Sequence, residues 1–348
     1  MDYPSAERPV LAVDLGGTQI RAALITPDRS VHCRRAEPTN DEDGADVVVA
    51  RIGEVAAAVR ADASAADLPA PIGVGISSPG PLDPWRGIVL DPPNLHGWHD
   101  VPLAERVAGQ LGLPAFLERD TNVAIMAEWR YGAARGTRDA IYITVSTGVG
   151  GGIIVDGRPL VGPDGTAGEV GHLVVELDGP TCGCGGIGHV EAIASGTALE
   201  RDGAALIARG EAPILAGLAR DAGLDAALIA RAADDGDAAC VAMLDRAWIA
   251  IGALCASLVN VLNPEVIVIG GGIAEHRPRL FDVARSELVR RAMPGLAERV
   301  RIVPAALGAD VSLIGLLPIV NARSHDPHYA DGLPSSRMAT PQQGAPPS

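Results

Sequence analysis

Three times in this chain an apolar run leads into a glycine turn: VLAVDLGGT from Val10, IYITVSTGVGGG from Ile141 and VIVIGGG from Val266. Short apolar runs stopped by glycine read as buried strands, too short to be helices of the same composition. The first two are followed by a second apolar run, Ile20 to Ile25 and Ile153 to Gly157, so each unit is strand, turn, strand. Asp14-Leu15-Gly16-Gly17-Thr18 recurs as Ser146-Thr147-Gly148-Val149-Gly150-Gly151. Two such units heading two halves predict an α/β chain with a duplicated architecture.

Glycine after a strand lets backbone N–H groups face an anion with no Cβ in the way. Candidates are Asp14, Gly16, Gly17, Thr18 and Gln19 in the first turn, Thr147, Gly148 and Gly150 in the second, and Gly270, Gly271 and Gly272 in the third. Asp14 could orient a hydrated Mg²⁺, and Thr18 could donate its hydroxyl to a phosphate. One such turn is equally an ordinary β-turn. Three after buried strands favour a nucleotide site, although none is a GxxxxGK[ST] loop and the first is not the dinucleotide fingerprint.

The loop GEVGHLVVELDGPTCGCGGIGHVE, Gly168 to Glu191, carries His172, Cys182, Cys184 and His189. Thiolates and imidazoles at this spacing suit a tetrahedral, structural Zn²⁺. The flanking carboxylates Glu169 and Glu191 suggest that the metal shapes a binding loop. The other cysteines, Cys33, Cys240 and Cys255, make an odd total of five and no disulfide framework.

The chain's 348 residues are enough for two domains. A net charge of −15 argues against a nucleic-acid partner. MDYPSAERP lacks the basic and apolar regions of a signal peptide. The longest apolar run, Ala247 to Val261, is shorter than a membrane span and contains Ser257 and Asn260. A cytoplasmic protein with no membrane partner is expected.

Helical periodicity covers Asp46 to Ala61, Pro102 to Leu111, Thr121 to Tyr131, much of Ala194 to Ala233, one long helix from Asp237 to Leu262, and a closing helix from Val311 to Val320. Ile72 to Ile76 and Ala115 to Glu118 read as strands. After Asn321 the composition turns to Pro, Ser, Gln, Gly and His, as in a disordered tail, 322–348. Asp120, between a strand and a helix, either caps that helix or acts as a general base toward a hydroxyl; with three phosphate-type turns the base is favoured, and one residue can do both. In PPNLHGWHD, Asn94 and Trp98 are candidates to shape a pocket, and His96 and His99 read as loop residues.

These motifs together resemble the ROK family of sugar kinases and sugar-responsive repressors, over about residues 8–321. The most specific part is VSTGVGGGI from Val145, then Gly162, Gly168, Gly171 and His172, CxCGGxG and Glu191. The resemblance implies a two-domain actin-like ATPase (ribonuclease H-like) fold with duplicated mixed sheets and a nucleotide and sugar cleft between the domains. It places a small domain at 1–118, joined by a C-terminal helix at about 309–321, and a large domain at 119–308 with the zinc loop at 172–189. It matches the first two turns to phosphate motifs, the third to the adenosine motif, Asp120 to the catalytic base, and Glu169, His172 and Glu191 to sugar-hydroxyl contacts, with Gly80 lining the same cleft. It also implies a homodimer.

Two positions depart from the family pattern. His189 stands where the fourth zinc ligand is usually cysteine, and Arg119 where the residue before the base is usually a sugar-binding asparagine. Arginine has no acceptor, so it bears on which sugar is bound. With nine residues before the first strand, a kinase is favoured over a repressor with an added helix-turn-helix domain. The expected activity is ATP-dependent phosphorylation of a hexose 6-hydroxyl, glucose first. N-acetylmannosamine, fructose or allose kinases, a non-catalytic sugar sensor and a structural-zinc module are the alternatives.

Overall fold

The computed structural model describes residues 6–92 and 95–325. The pocket candidate Asn94 and the expected tail from 326 onward lie outside them. The chain divides into two compact units. One gathers the described residues up to Ala127, the segment Val161–Ala167 and the chain from Ala309 on; the other comprises Glu128–Leu160 and Gly168–Gly308.

In chain order the first half runs β1 (Val10–Leu15), β2 (Gln19–Ile25), β3 (Val31–Pro38), α1 (Ala45–Ala65), β4 (Val74–Ser78), β5 (Leu82–Asp83), β6 (Ile88–Val89), α2 (Leu103–Leu111), β7 (Ala115–Arg119) and α3 (Asp120–Tyr131). The main sheet is ordered β3-β2-β1-β4-β7, and β5 pairs with β6 alone. β1 runs antiparallel to β2 and parallel to β4, which is parallel to β7. β1 and β4 are central and covered on both faces, hence their continuous apolar character. β3 is the edge, and its RRAEP run is exposed. Val48, Val49, Ile52, Val55, Ala56 and Val59 form the buried stripe of α1.

The second half runs β8 (Ala140–Val145), β9 (Val149–Val155), β10 (Arg158–Pro159), α4 (Glu191–Ala194), α5 (Gly196–Ala208), α6 (Pro213–Ala222), α7 (Ala226–Asp234), α8 (Ala238–Leu262), β11 (Val266–Gly270), α9 (Pro278–Arg291) and β12 (Arg301–Pro304). Its sheet, β10-β9-β8-β11-β12, repeats the first in order and in strand sense. The mixed, duplicated α/β architecture is therefore present.

α8 is long and apolar enough to cross a bilayer by length and composition alone. Here Trp248, Ile251, Leu254, Cys255, Leu258 and Val259 fill the core of the second unit. Asp237 caps it, accepting from the Ala239 and Cys240 amides at 3.2 and 3.4 Å. Burial pushes the Cys240 thiol up to about 11 and Cys255 to about 12, as suits inert core cysteines.

The closing helix is broken in two, α10 (Val311–Ile314) and α11 (Leu316–Arg323). Pro318 lacks the N–H that would bond the Ile314 carbonyl, so one continuous helix cannot form. α11 runs two residues past Asn321, and Arg323 at its end is buried.

Candidate functional site

In the first unit, the parallel strands β1, β4 and β7 deliver their C-terminal ends to one edge of the sheet. Asp14 lies beside Ser77, and Ser78 beside Arg119. Asp120 follows at once, two strand spacings, roughly 10 Å, from the β1 end. C-terminal edges of parallel strands are where α/β proteins place ligands.

The turn after β1 closes through the Gly16 amide on the Gln19 carbonyl at 3.0 Å. Thr39 braces it from outside, its hydroxyl donating to the Gly16 carbonyl at 2.7 Å and its amide to the Thr18 carbonyl at 2.9 Å. Both carbonyls are thus engaged by Thr39. Gly17, Thr18 and Gln19 are exposed at the tip. Asp14 is held through Oδ2 by Arg21, at 3.1 Å from Nε and 2.5 Å from Nη2. Arg21 is anchored in turn by the Ala309 carbonyl at 2.8 Å and the Ser312 hydroxyl at 3.0 Å. The hairpin register sets Asp14 opposite Arg21, and strand alternation either side of the Gly16-Gly17 turn is the sequence signal for this pair.

Asp120 opens α3, and its Oδ1 accepts the Thr121 amide at 2.7 Å. Asn122 is buried and donates from Nδ2 to Glu118 Oε1 at 3.0 Å, which braces the start of α3. The buried Arg119 donates from Nη2 to the Ala167 carbonyl at 2.6 Å. A Cβ at Gly80 would lie 3.3 Å from Arg119 Cδ, so the Gly80 loop and Arg119 adjoin. Trp98 is wholly buried in the unit's hydrophobic core, whereas His96 and His99 are exposed, with His96 on Asp41 and His99 on Asp91.

In the second unit the turn after β8 closes through the Ser146 amide on the Gly148 carbonyl at 2.9 Å. The amides of Gly196 and Thr197, at the start of α5, take the Ser146 and Thr147 carbonyls at 2.8 and 3.3 Å. The third turn packs onto this one, with the Ile273 amide on the Val145 carbonyl at 3.1 Å. Gly271 has φ +94°, and a Cβ there would lie 2.7 Å from Thr144 Oγ1; at Gly270 a Cβ would lie 2.9 Å from Ala305 Cβ. Thr147, Gly148, Gly150 and Gly270 to Gly272 therefore come together at one sheet edge.

Glu191 links that edge to the His/Cys loop. Its Oε2 accepts the Val149 amide at 2.9 Å, and a Cβ at Gly148 would lie 2.7 Å from the same oxygen. Its Oε1 lies 3.6 Å from Cys182 Sγ. His172, Cys182, Cys184 and His189 each offer a ligand atom within 4.8 Å of the others. His172 Nδ1 is 3.7 Å from Cys182 Sγ, and His189 Nδ1 is 3.3 Å from Cys184 Sγ. Tetrahedral Zn²⁺ with bonds of about 2.0–2.3 Å needs ligand separations of roughly 3.3–3.8 Å, so this donor set fits zinc. The loop is a small hairpin, with Val174 bridged to His189 and Thr181 to Ile187. Burial, with a lesser contribution from the Glu191 carboxylate, pushes the Cys182 thiol up to about 11. Glu169 stands 3.9 Å from His172 Nε2.

Comparison with known proteins identifies the family. The model of the ROK family matches residues 10–323. A glucokinase of Thermotoga maritima is 35% identical over 317 residues, covering 90% of this chain and 98% of the relative. An N-acetylmannosamine kinase of Shigella flexneri is 35% identical over 269 residues, 76% of this chain and 84% of that one. Among solved structures, a ROK family glucokinase from Streptomyces griseus in complex with glucose and AMPPNP superposes with a TM-score of 0.77 at 31% identity, covering 89% and 98% of the two chains.

Proposed function

The chain belongs to the ROK family, and from that premise we propose that it is an ATP-dependent hexose kinase acting on the 6-hydroxyl, with glucose as its leading substrate. The observation that carries this reading is Asp120 at the β7 end, on the same sheet edge as Asp14 and the first glycine turn. Phosphoryl transfer asks mainly for positioning and charge stabilisation. Asp120 is the general base, taking the proton of the attacking hydroxyl. Its hydrogen bond to the Thr121 amide aims the carboxylate. The tip amides of the first turn and the Thr18 hydroxyl receive phosphate oxygens, as do Thr147, Gly148 and Gly150 in the second unit. Gly270 to Gly272, without side chains, admit the adenosine.

Asp14 engages Arg21 through Oδ2, leaving its other oxygen for hydrated Mg²⁺. When bound, Mg²⁺ offsets charge on the phosphates. His172, Cys182, Cys184 and His189 would hold Zn²⁺ as a structural ion. Glu169 and Glu191 then present acceptors to sugar hydroxyls, while His172, with Nδ1 on the metal, donates from Nε2, and a sugar lacking a matching hydroxyl would leave one of these groups unpaired. Arg119, fixed on Ala167, adjusts the acceptor site beside Gly80. The 35% identity to the Shigella flexneri enzyme favours N-acetylmannosamine as the second substrate to consider. A cytoplasmic homodimer fits this reading; the exposed Val261, Val289 and Met293 of the second unit would suit a partner surface.

A coupled ADP-release assay with Mg-ATP and glucose, mannose, N-acetylmannosamine, N-acetylglucosamine, fructose and allose tests the proposal. Turnover on one hexose supports it and names the substrate. Sugar binding without turnover on any of them would replace it with a non-catalytic sugar sensor.

A further inference from the structure

Asp120 is flanked by a buried charge that comes from the far end of the chain. Glu118, 4% exposed, ends in a carboxylate that accepts the Arg119 amide at 2.9 Å and the Asn122 side chain at 3.0 Å through Oε1. Its Oε2 is paired with Arg323 Nη2, 205 residues away. Arg323, 3% exposed, also donates from Nη1 to the Leu117 carbonyl at 2.7 Å. The guanidinium fork thus grips the backbone and a side chain of β7 just before the chain turns into α3.

The helix that carries Arg323 is itself tightly seated. A Cβ at Gly75 would lie 2.8 Å from Leu316 Cβ and 2.9 Å from Val320 Cγ2, so α11 lies directly on β4. Asn321 exchanges two hydrogen bonds with the Arg8 backbone, at 2.8 and 2.9 Å. Arg323 is therefore a fixed point.

We propose that Arg323 and Glu118 are positioning residues for Asp120. Resting on the kinase reading, the inference deepens it by adding two groups that touch no substrate. A buried ion pair contributes little net stability compared with apolar groups of the same shape, so stability alone does not account for it. What this pair does is directional. Glu118 binds groups on both sides of Asp120, the amide of Arg119 before it and the side chain of Asn122 after it. Arg323 fixes Glu118. The β7–α3 turn is thereby held in one conformation, and with it the direction of the Asp120 carboxylate. Misplacing a reacting group by about 1 Å can cost about 10²-fold in rate.

The test compares wild type, Arg323→Met and Arg323→Lys in full-length protein, each assayed well below its own melting midpoint. Amide hydrogen exchange of peptides covering 118–123 is followed alongside turnover. In Arg323→Met these amides should exchange at least tenfold faster, kcat should fall at least tenfold, and KM for Mg-ATP should stay within twofold. Arg323→Lys, which keeps the charge, should recover kcat to within threefold of wild type. If Arg323→Met does not fold, Glu118→Gln is measured in the same way. Unchanged exchange at 118–123, or kcat within twofold of wild type with only a lower melting midpoint, overturns the proposal. A wild type without turnover on any sugar sinks the kinase reading instead, and exchange still decides whether the pair holds the turn.

Discussion

The two glycine turns at the heads of the two sheets share strand order and sense but differ in how a carboxylate is supplied. In the first unit Asp14 belongs to β1 itself and is steadied by Arg21 across the hairpin. In the second no acidic residue lies between Val145 and Val149, and Glu191 reaches in from the start of α4 to take the Val149 amide. The first turn is self-contained. The second depends on the loop that carries Cys182, because Glu191 also meets that thiol. Duplication of a fold thus leaves room for one copy to tie its turn to the His/Cys loop while the other keeps it local.

On the proposed reading the base, Asp120, belongs to the first unit, which gives the largest expected effect. Asp120→Asn should lower kcat about 10³-fold with sugar affinity within a fewfold of wild type. Steady-state kinetics with sugar titration checks this, and near-normal turnover would remove Asp120 as the base.

Next in size is metal removal. Treatment with phenanthroline should release about one zinc per chain and lower the melting midpoint by about 5–10 °C. Amide exchange should then quicken at 146–150 but not at 16–19. Equal changes at both turns would erase the distinction drawn between them. Gly271→Ala, at φ +94° against the end of β8, should cost about 1–3 kcal/mol by chemical denaturation. Smallest is Gly148→Ala, whose Cβ needs the Glu191 side chain to give way. A rise in KM for ATP of about threefold, near 0.7 kcal/mol, is expected; no change would mean that the Glu191 contact does not shape the phosphate site.

Much of this arrangement was legible in the sequence because its signals are local. Glycine turns close behind VLAVD, IYITV and VIVI marked the three strand ends, and the spacing of His172, Cys182, Cys184 and His189 marked one candidate metal loop. Asp237 announced the start of α8 by ordinary capping. The Arg21 partner of Asp14 was within reach of strand alternation. The Glu118–Arg323 pair was not, since the two lie 205 positions apart and Arg323 stands where the composition already turns polar. Trp98, amid a run of Pro, Asn, Gly and His, had no periodicity to reveal its burial. The break at Gly315 followed from Pro318, which apolar periodicity hides.

The discontinuity of the first unit bears on how the molecule is made. Synthesis delivers β1 to β7 first, then the whole second unit, and only then the helix with Arg323. We expect the second unit to mature while Glu118 still waits for its counter-charge, so closure of the first unit comes after it. Pulse proteolysis of chains arrested at residue 308 should find the second unit resistant and the first cleavable, and equal resistance would rule that order out. A kinase built this way fixes the turn that carries Asp120 only once α11 is in place.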